Sequence, residues 1–196
     1  MTAAKPVRAQ WHRSYRSPAS LWWALGWAAL FTAMHAYWYL GGTIGLGDAP
    51  NALPPLVPSS IAGGIFEIAV VLMFAAGLGA PMALLRGTPD GKRRRLLVAL
   101  MWTGAVILVA RGGSGLLDDA VRQLGPSDGG ITGLSYERTL GTPTPSTYTL
   151  ISTDAVDANF LLGGALFTRA ARSRMPRRRP SPVRHVDTLR DRSGTR

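Results

Sequence analysis

The chain reads as an all-α protein, a polytopic transmembrane four-helix bundle with disordered basic tails, and three observations predict it. Ser17 to Leu85 is a 69-residue stretch whose only formal charges are Asp48 and Glu67, a surface that a soluble fold would not tolerate. Apolar runs near the 20 residues needed to cross about 30 Å of hydrocarbon recur along it. The net charge of +11 is concentrated beside those runs, with ten of the 22 Lys and Arg between Arg169 and Arg196. Charge placed this way marks membrane topology, and nucleic acid is not expected as a partner because neither a nucleic-acid-binding fold nor an aromatic platform accompanies it.

The first span, about 21–40, carries Trp22, Trp23 and Trp27 toward one end and Tyr37, Trp38 and Tyr39 at the other, where amphipathic rings seek the two interfaces. Its length and its flank of Tyr39-Leu40-Gly41-Gly42 argue against a cleaved signal peptide. The second, about 61–85, is apolar apart from Glu67, and its small residues Ala75, Ala76, Gly79 and Ala80 suit the close approach of another helix. The third begins after Lys92, Arg93, Arg94 and Arg95 and runs over about 96–117, carrying Arg111 with it; Gly112-Gly113-Ser114-Gly115 reads as a helix end. The fourth, about 149–168, must recruit Asp154 and Asp157 to reach spanning length, with an interfacial or re-entrant segment as its alternative. Residues 1–20 form a basic segment, Asp118 to Tyr148 an irregular Gly/Pro/Ser/Thr-rich loop, and 169–196 a disordered Arg-rich tail.

Orientation follows from the basic residues. The amino-terminal segment has four, the first loop none, the second loop five, the third loop two and the tail ten, so four spans place both termini in the cytoplasm of a multi-pass cell-membrane protein. The tail is expected to meet anionic lipid headgroups, each basic residue near the surface contributing about 1 kcal/mol.

That topology puts five polar residues at one level. His35, Glu67 and Arg111 fall roughly 7 to 9 Å below the outer boundary at 1.5 Å per residue, and Asp154 and Asp157 enter at the same level. Glu67 and Arg111 are expected to pair, with snorkelling of Arg111 to the headgroups as the alternative. His35 is expected to be a hydrogen-bonded packing residue, with a ligand or proton-carrier role as the alternative. Asp154 and Asp157 read as N-capping acids at a positive helix end.

Chemistry is not written in motifs. The chain has no cysteine, which excludes thiol catalysis, disulfides and thiolate metal sites. No phosphate loop, nucleophile elbow or zinc-protease signature occurs. Neither a metal nor a cofactor is expected, and the chain leans away from an enzyme. Three classes stay open: a non-catalytic interaction bundle, a small-solute or proton carrier, and a membrane enzyme acting on a lipid-soluble substrate.

The string His35-Ala36-Tyr37-Trp38-Tyr39-Leu40-Gly41-Gly42, a His-x-x-Trp followed by a Gly pair, resembles a family of small actinobacterial integral membrane proteins known only as a domain of unknown function. Thr153-Asp154-Ala155-Val156-Asp157 is similar to the aspartate-containing stretch that introduces that family's last span. The resemblance implies four helices and a membrane location, without an activity. The excess of Arg over Lys fits a GC-rich source.

Overall fold

Apolar side chains face outward and small ones face inward, the reverse of a water-soluble fold. Leu30, Ile65, Ile68, Val71, Leu72, Leu96 and Val106 are exposed, whereas Ala24, Ala28, Ala80, Ala105, Ala170 and Ala171 are buried together with Leu21, Met101 and Phe167. Without a hydrophobic force between helices in lipid, close van der Waals packing of small residues holds such a bundle together. The computed structural model describes residues 19–48, 61–87, 90–125 and 129–175. The expectations for most of the basic amino-terminal segment, for residues 49–60 of the first loop and for the tail beyond Met175 lie outside the described residues.

Five helices make up the described chain: α1 (Ala19–Tyr39), α2 (Ile61–Arg86), α3 (Gly91–Leu124), α4 (Tyr136–Leu140) and α5 (Thr147–Arg174). No strand occurs among these residues. The long helices follow one another around a ring, α1 against α2, α2 against α3, α3 against α5 and α5 back against α1, with α3 and α5 sharing the most extensive contact. α1 and α3 each run antiparallel to α5, their starts lying beside its end.

α2, α3 and α5 are long and apolar enough to cross a membrane, with stretches of mean hydropathy 2.3, 1.8 and 1.2. α1, at 21 residues, reaches about 31 Å, and its Trp and Tyr rings, amphipathic rather than apolar, lower its hydropathy. Trp22 and Trp23 stand exposed at its start and Tyr37 at its end.

The ends of the bundle differ in kind. At one end the start of α1 meets the end of α5 through Ser20 Oγ donating to Ser173 Oγ at 3.1 Å, and Arg94 at the start of α3 donates to the carbonyl of Arg174. This basic end collects Arg86, Lys92, Arg93, Arg95, Arg169 and Arg172, all exposed. At the opposite end the loop after α1 is fastened to α5. Asp48 N donates to Thr149 Oγ1 at 2.9 Å, and Ser146 Oγ donates to Asp48 Oδ2 at 2.5 Å.

The His-x-x-Trp and Gly-Gly string closes α1 physically. Gly41 takes φ +92° just past the helix, where a side chain would be strained, and its N–H reaches back to the Trp38 carbonyl. A Cβ on Gly42 would enter the Tyr37 ring. Trp38 Nε1 then donates to the Ile44 carbonyl at 2.9 Å, folding the loop onto the helix end.

Two expectations are corrected here. Gly112-Gly113-Ser114-Gly115 does not end the third helix, because α3 continues to Leu124. Nor do Asp154 and Asp157 cap the fourth long helix. Ser146 is its N-cap and accepts from Thr149 N at 3.2 Å, and no acid stands in the first turn. The Thr-Pro-rich stretch before Ser146 resembles loop in composition, yet Thr147 already has the cap it needs, so the helix begins earlier than the aspartates.

Candidate functional site

The five polar residues separate into two groups on different sides of the bundle. Between α3 and α5, Arg111 Nη1 donates to Asp157 Oδ1 at 2.6 Å, the aspartate side chain being 3% exposed and the arginine 52%. The same guanidinium lies 5.2 Å over the Phe160 ring, a cation-π contact that supports its partly lipid-facing position.

Glycines make this pair possible. A Cβ on Gly115 would collide with the Asp157 carboxylate, and one on Gly112 would collide with the Asp157 carbonyl and stand 2.9 Å from Phe160 Cβ. On α5, a Cβ on Gly164 would stand 2.5 Å from Val109 Cγ2 and 3.1 Å from the Ala105 carbonyl. Small residues were expected to admit a neighbour along α2. The tightest approach instead runs along the α3/α5 seam, and Gly79 has no neighbour within 4 Å of a built Cβ.

One to three turns further along, that seam carries residues that sequence reasoning assigned to an irregular loop. Arg122 is nearly buried, donates to Asp118 Oδ2 at 2.5 Å and to Thr139 Oγ1 at 3.2 Å, and lies 5.0 Å over the Tyr136 ring. Tyr136 Oη donates to Asp119 Oδ1 at 2.7 Å, while Gln123 Nε2 donates to Asp119 Oδ2 at 2.8 Å. Asp154 of α5 meets the same Asp119 carboxyl. Burial, joined by the bond to Asp119, pushes the Tyr136 phenol up to about 12. The signal for this cluster was in the chain: Asp118 and Arg122, like Asp119 and Gln123, are four apart, the spacing that keeps partners on one helix face.

His35 and Glu67 belong to the other group. The expected ion pair of Glu67 with Arg111 does not form. The described residues contain two ion pairs, Arg111 with Asp157 and Arg122 with Asp118, and Glu67 is in neither. Equal depth was the warrant for pairing them, but α2 and α5 flank α3 on different sides, and depth says nothing about direction around the ring.

Glu67 instead lines a groove of about 240 Å³ between α1 and α2, together with Thr32, His35, Tyr39, Val71 and Phe74. His35 Nδ1 lies 2.9 Å from the Phe31 carbonyl. A carbonyl only accepts, so Nδ1 carries a proton and donates it. The imidazole is held by Phe31, Trp38 and Phe74, at centroid distances of 4.2, 5.0 and 5.1 Å. It is thus held by packing and by a hydrogen bond to its own helix.

The groove exists because α2 is anchored at one end. Its buried residues Ala80, Pro81 and Leu84 lie toward the basic end, whereas Ile61, Ile65, Ile68, Val71 and Leu72 stay exposed toward the other. Among the described residues, no three His, Cys, Asp or Glu are arranged to hold a metal ion.

An all-α bundle with spanning helices, an apolar outer surface and a charged end defines the class, a helical membrane protein. The chain belongs to the family described as Protein of unknown function (DUF3995), whose model matches residues 28–132, more than half of its length. That match takes in His35, Glu67 and Arg111 and stops before α4 and α5. No curated protein and no solved structure matches the chain.

Proposed function

We propose that this is a cell-membrane binding protein that takes up a lipid-soluble molecule sideways from the outer leaflet into the α1/α2 groove, without catalysing a reaction. One observation carries the reading: Glu67 and His35, two ionisable side chains on adjacent helices, line a single groove and are not spent on each other or on another charge. An acid in hydrocarbon is costly and ordinarily faces a partner or a cavity. Arg111, the cation at the same depth, is already taken by Asp157. A groove of about 240 Å³ is smaller than a pocket enclosing a drug-sized molecule, about 300 Å³ and up. It suits a polar head and its first carbons, the remainder lying along the exposed aliphatic face of α2.

In this reading four helices span, both termini are cytoplasmic and the basic end faces inward, its exposed cations meeting anionic headgroups as the tail does. The chain has no cysteine, so single ones report cleanly. Cysteines at Ala52 and Ser135 should react with an impermeant maleimide on intact cells and those at Thr88 and Ser181 should not; the reverse pattern overturns the orientation.

The binding reading is tested on protein purified in mild detergent, by mass spectrometry of its organic extract. A lipid-soluble compound retained by the wild type should be lost from Ala36→Phe, which fills the groove. Identical extracts from both would remove the groove as a binding site.

A further inference from the structure

We propose that Thr142 and Thr144 are O-glycosylated, an inference that rests on the orientation given above, which puts the connection between α4 and α5 outside the cell, and that is independent of the groove. Gly141 closes α4 in the left-handed region at φ +76° and Ser146 caps α5, so residues 142–145 belong to neither helix. Their sequence is Thr142-Pro143-Thr144-Pro145. A proline fixes its own φ at about −65° and drives the residue before it away from the helical region. Each threonine therefore favours extended backbone, and the stretch has little chain entropy left to lose to an enzyme that binds it.

The fold does not use these two hydroxyls. At the same end of the bundle those of Thr132, Thr139, Ser146, Thr149 and Thr153 are all hydrogen-bonded. Among the described residues neither the Thr142 nor the Thr144 hydroxyl bonds to another group, and Thr144 is exposed. Threonine alternating with proline outside regular structure is the composition that carries O-linked sugars. Threonine before proline also suits phosphorylation, but nucleotide phosphoryl donors stay in the cytoplasm, whereas a sugar can reach the outer surface on a lipid. The donor is accordingly a lipid-linked phosphosugar. Thr144 Oγ1 bonds to the anomeric carbon as the bond from that carbon to the phosphate oxygen breaks; the lipid phosphate leaves with the electron pair, and the hydroxyl proton passes to a base of the transferase.

The test weighs the intact full chain, purified from the cells that make it naturally. The wild type should exceed its sequence mass by whole sugar residues, with the surplus on tryptic peptide 139–169. The double variant Thr142→Val, Thr144→Val should lose the surplus completely and keep its thermal transition, since no hydrogen bond is removed. Thr144→Val alone should remove more of it than Thr142→Val, because Thr142 is half-buried. Fragmentation of the wild-type peptide locates the sugar without any variant.

A wild-type mass equal to that of the sequence, or a surplus that persists in the double variant, would overturn the proposal. Phosphate in place of sugar at these threonines would overturn it too and contradict the orientation. Maleimide labelling of a cysteine at Ser135 judges the orientation separately: with that cysteine labelled and no sugar found, the proposal fails and the orientation stands.

Discussion

The α3/α5 seam and the α1/α2 groove both hold polar residues and treat them in opposite ways. On the seam, glycines let two helices touch, and three acids there have donor partners: Asp157 has Arg111, Asp118 has Arg122, and Asp119 has Tyr136 and Gln123. Along the groove, the buried residues of α2 lie toward the basic end, and Glu67 is in neither ion pair of the described residues. A charge that is paired across a tight seam stabilises a fold; Glu67 has no such ion pair among the described residues. The membrane makes the distinction sharp, since an unpaired ionisable group has no water to fall back on.

The comparison breaks most readily at the seam. Gly112→Ala should destabilise the detergent-purified protein by about 1–3 kcal/mol, because the new methyl meets the α5 backbone at Asp157 and Leu161, which yields far less readily than the end of a flexible side chain. That loss should outweigh the roughly 1 kcal/mol by which alanine is the better helix former. A neutral or raised thermal transition would mean the two helices are not in close contact.

Charge pairing gives the next effect. A double-mutant cycle on Arg111→Gln and Asp157→Asn should show a coupling on the order of 1 kcal/mol, held to that size because half of the arginine side chain is exposed. The cycle on Arg111→Gln and Glu67→Gln should be additive to within about 0.5 kcal/mol. Coupling in the second cycle and none in the first would exchange the roles of seam and groove.

Tyr136 offers a pH test of the loop end of the seam. With its folded value near 12 against an ordinary value of 10.0, it favours the folded state fully below pH 10, and that contribution is lost as pH rises through about 12. Ultraviolet titration should show one tyrosine ionising after the others, absent in Tyr136→Phe; a wild type indistinguishable from the variant would mean the phenol is not held by Asp119.

The smallest effect is the control. Gly79→Ala, on a part of α2 with open space around the built Cβ, should be neutral or stabilising by a few tenths of a kcal/mol up to about 1 kcal/mol, and a loss like that of Gly112→Ala would show that α2 packs as tightly as the seam.

The sequence by itself determined the all-helical membrane architecture, because long apolar runs and the clustering of basic residues are one-dimensional facts that a bilayer reads directly. It also carried the expectation of a common depth for His35, Glu67, Arg111, Asp154 and Asp157, since rise per residue converts position into height. Only the tertiary structure decided which of them meet. Direction around a bundle depends on how each helix is rotated and tilted, and that was set by where a neighbour comes close enough to exclude side chains: at Gly112, Gly115 and Gly164, whose glycines look like helix breakers in one dimension and are contact points in three. The same cause hid the Asp119 and Tyr136 cluster, because Gly-rich composition after Arg111 reads as a helix end while packing against α5 carries α3 on to Leu124. Glu67 was left without a charged partner for the complementary reason: α2's buried residues Ala80, Pro81 and Leu84 lie toward the basic end, and among the described residues no cation of α3 or α5 pairs with the acid.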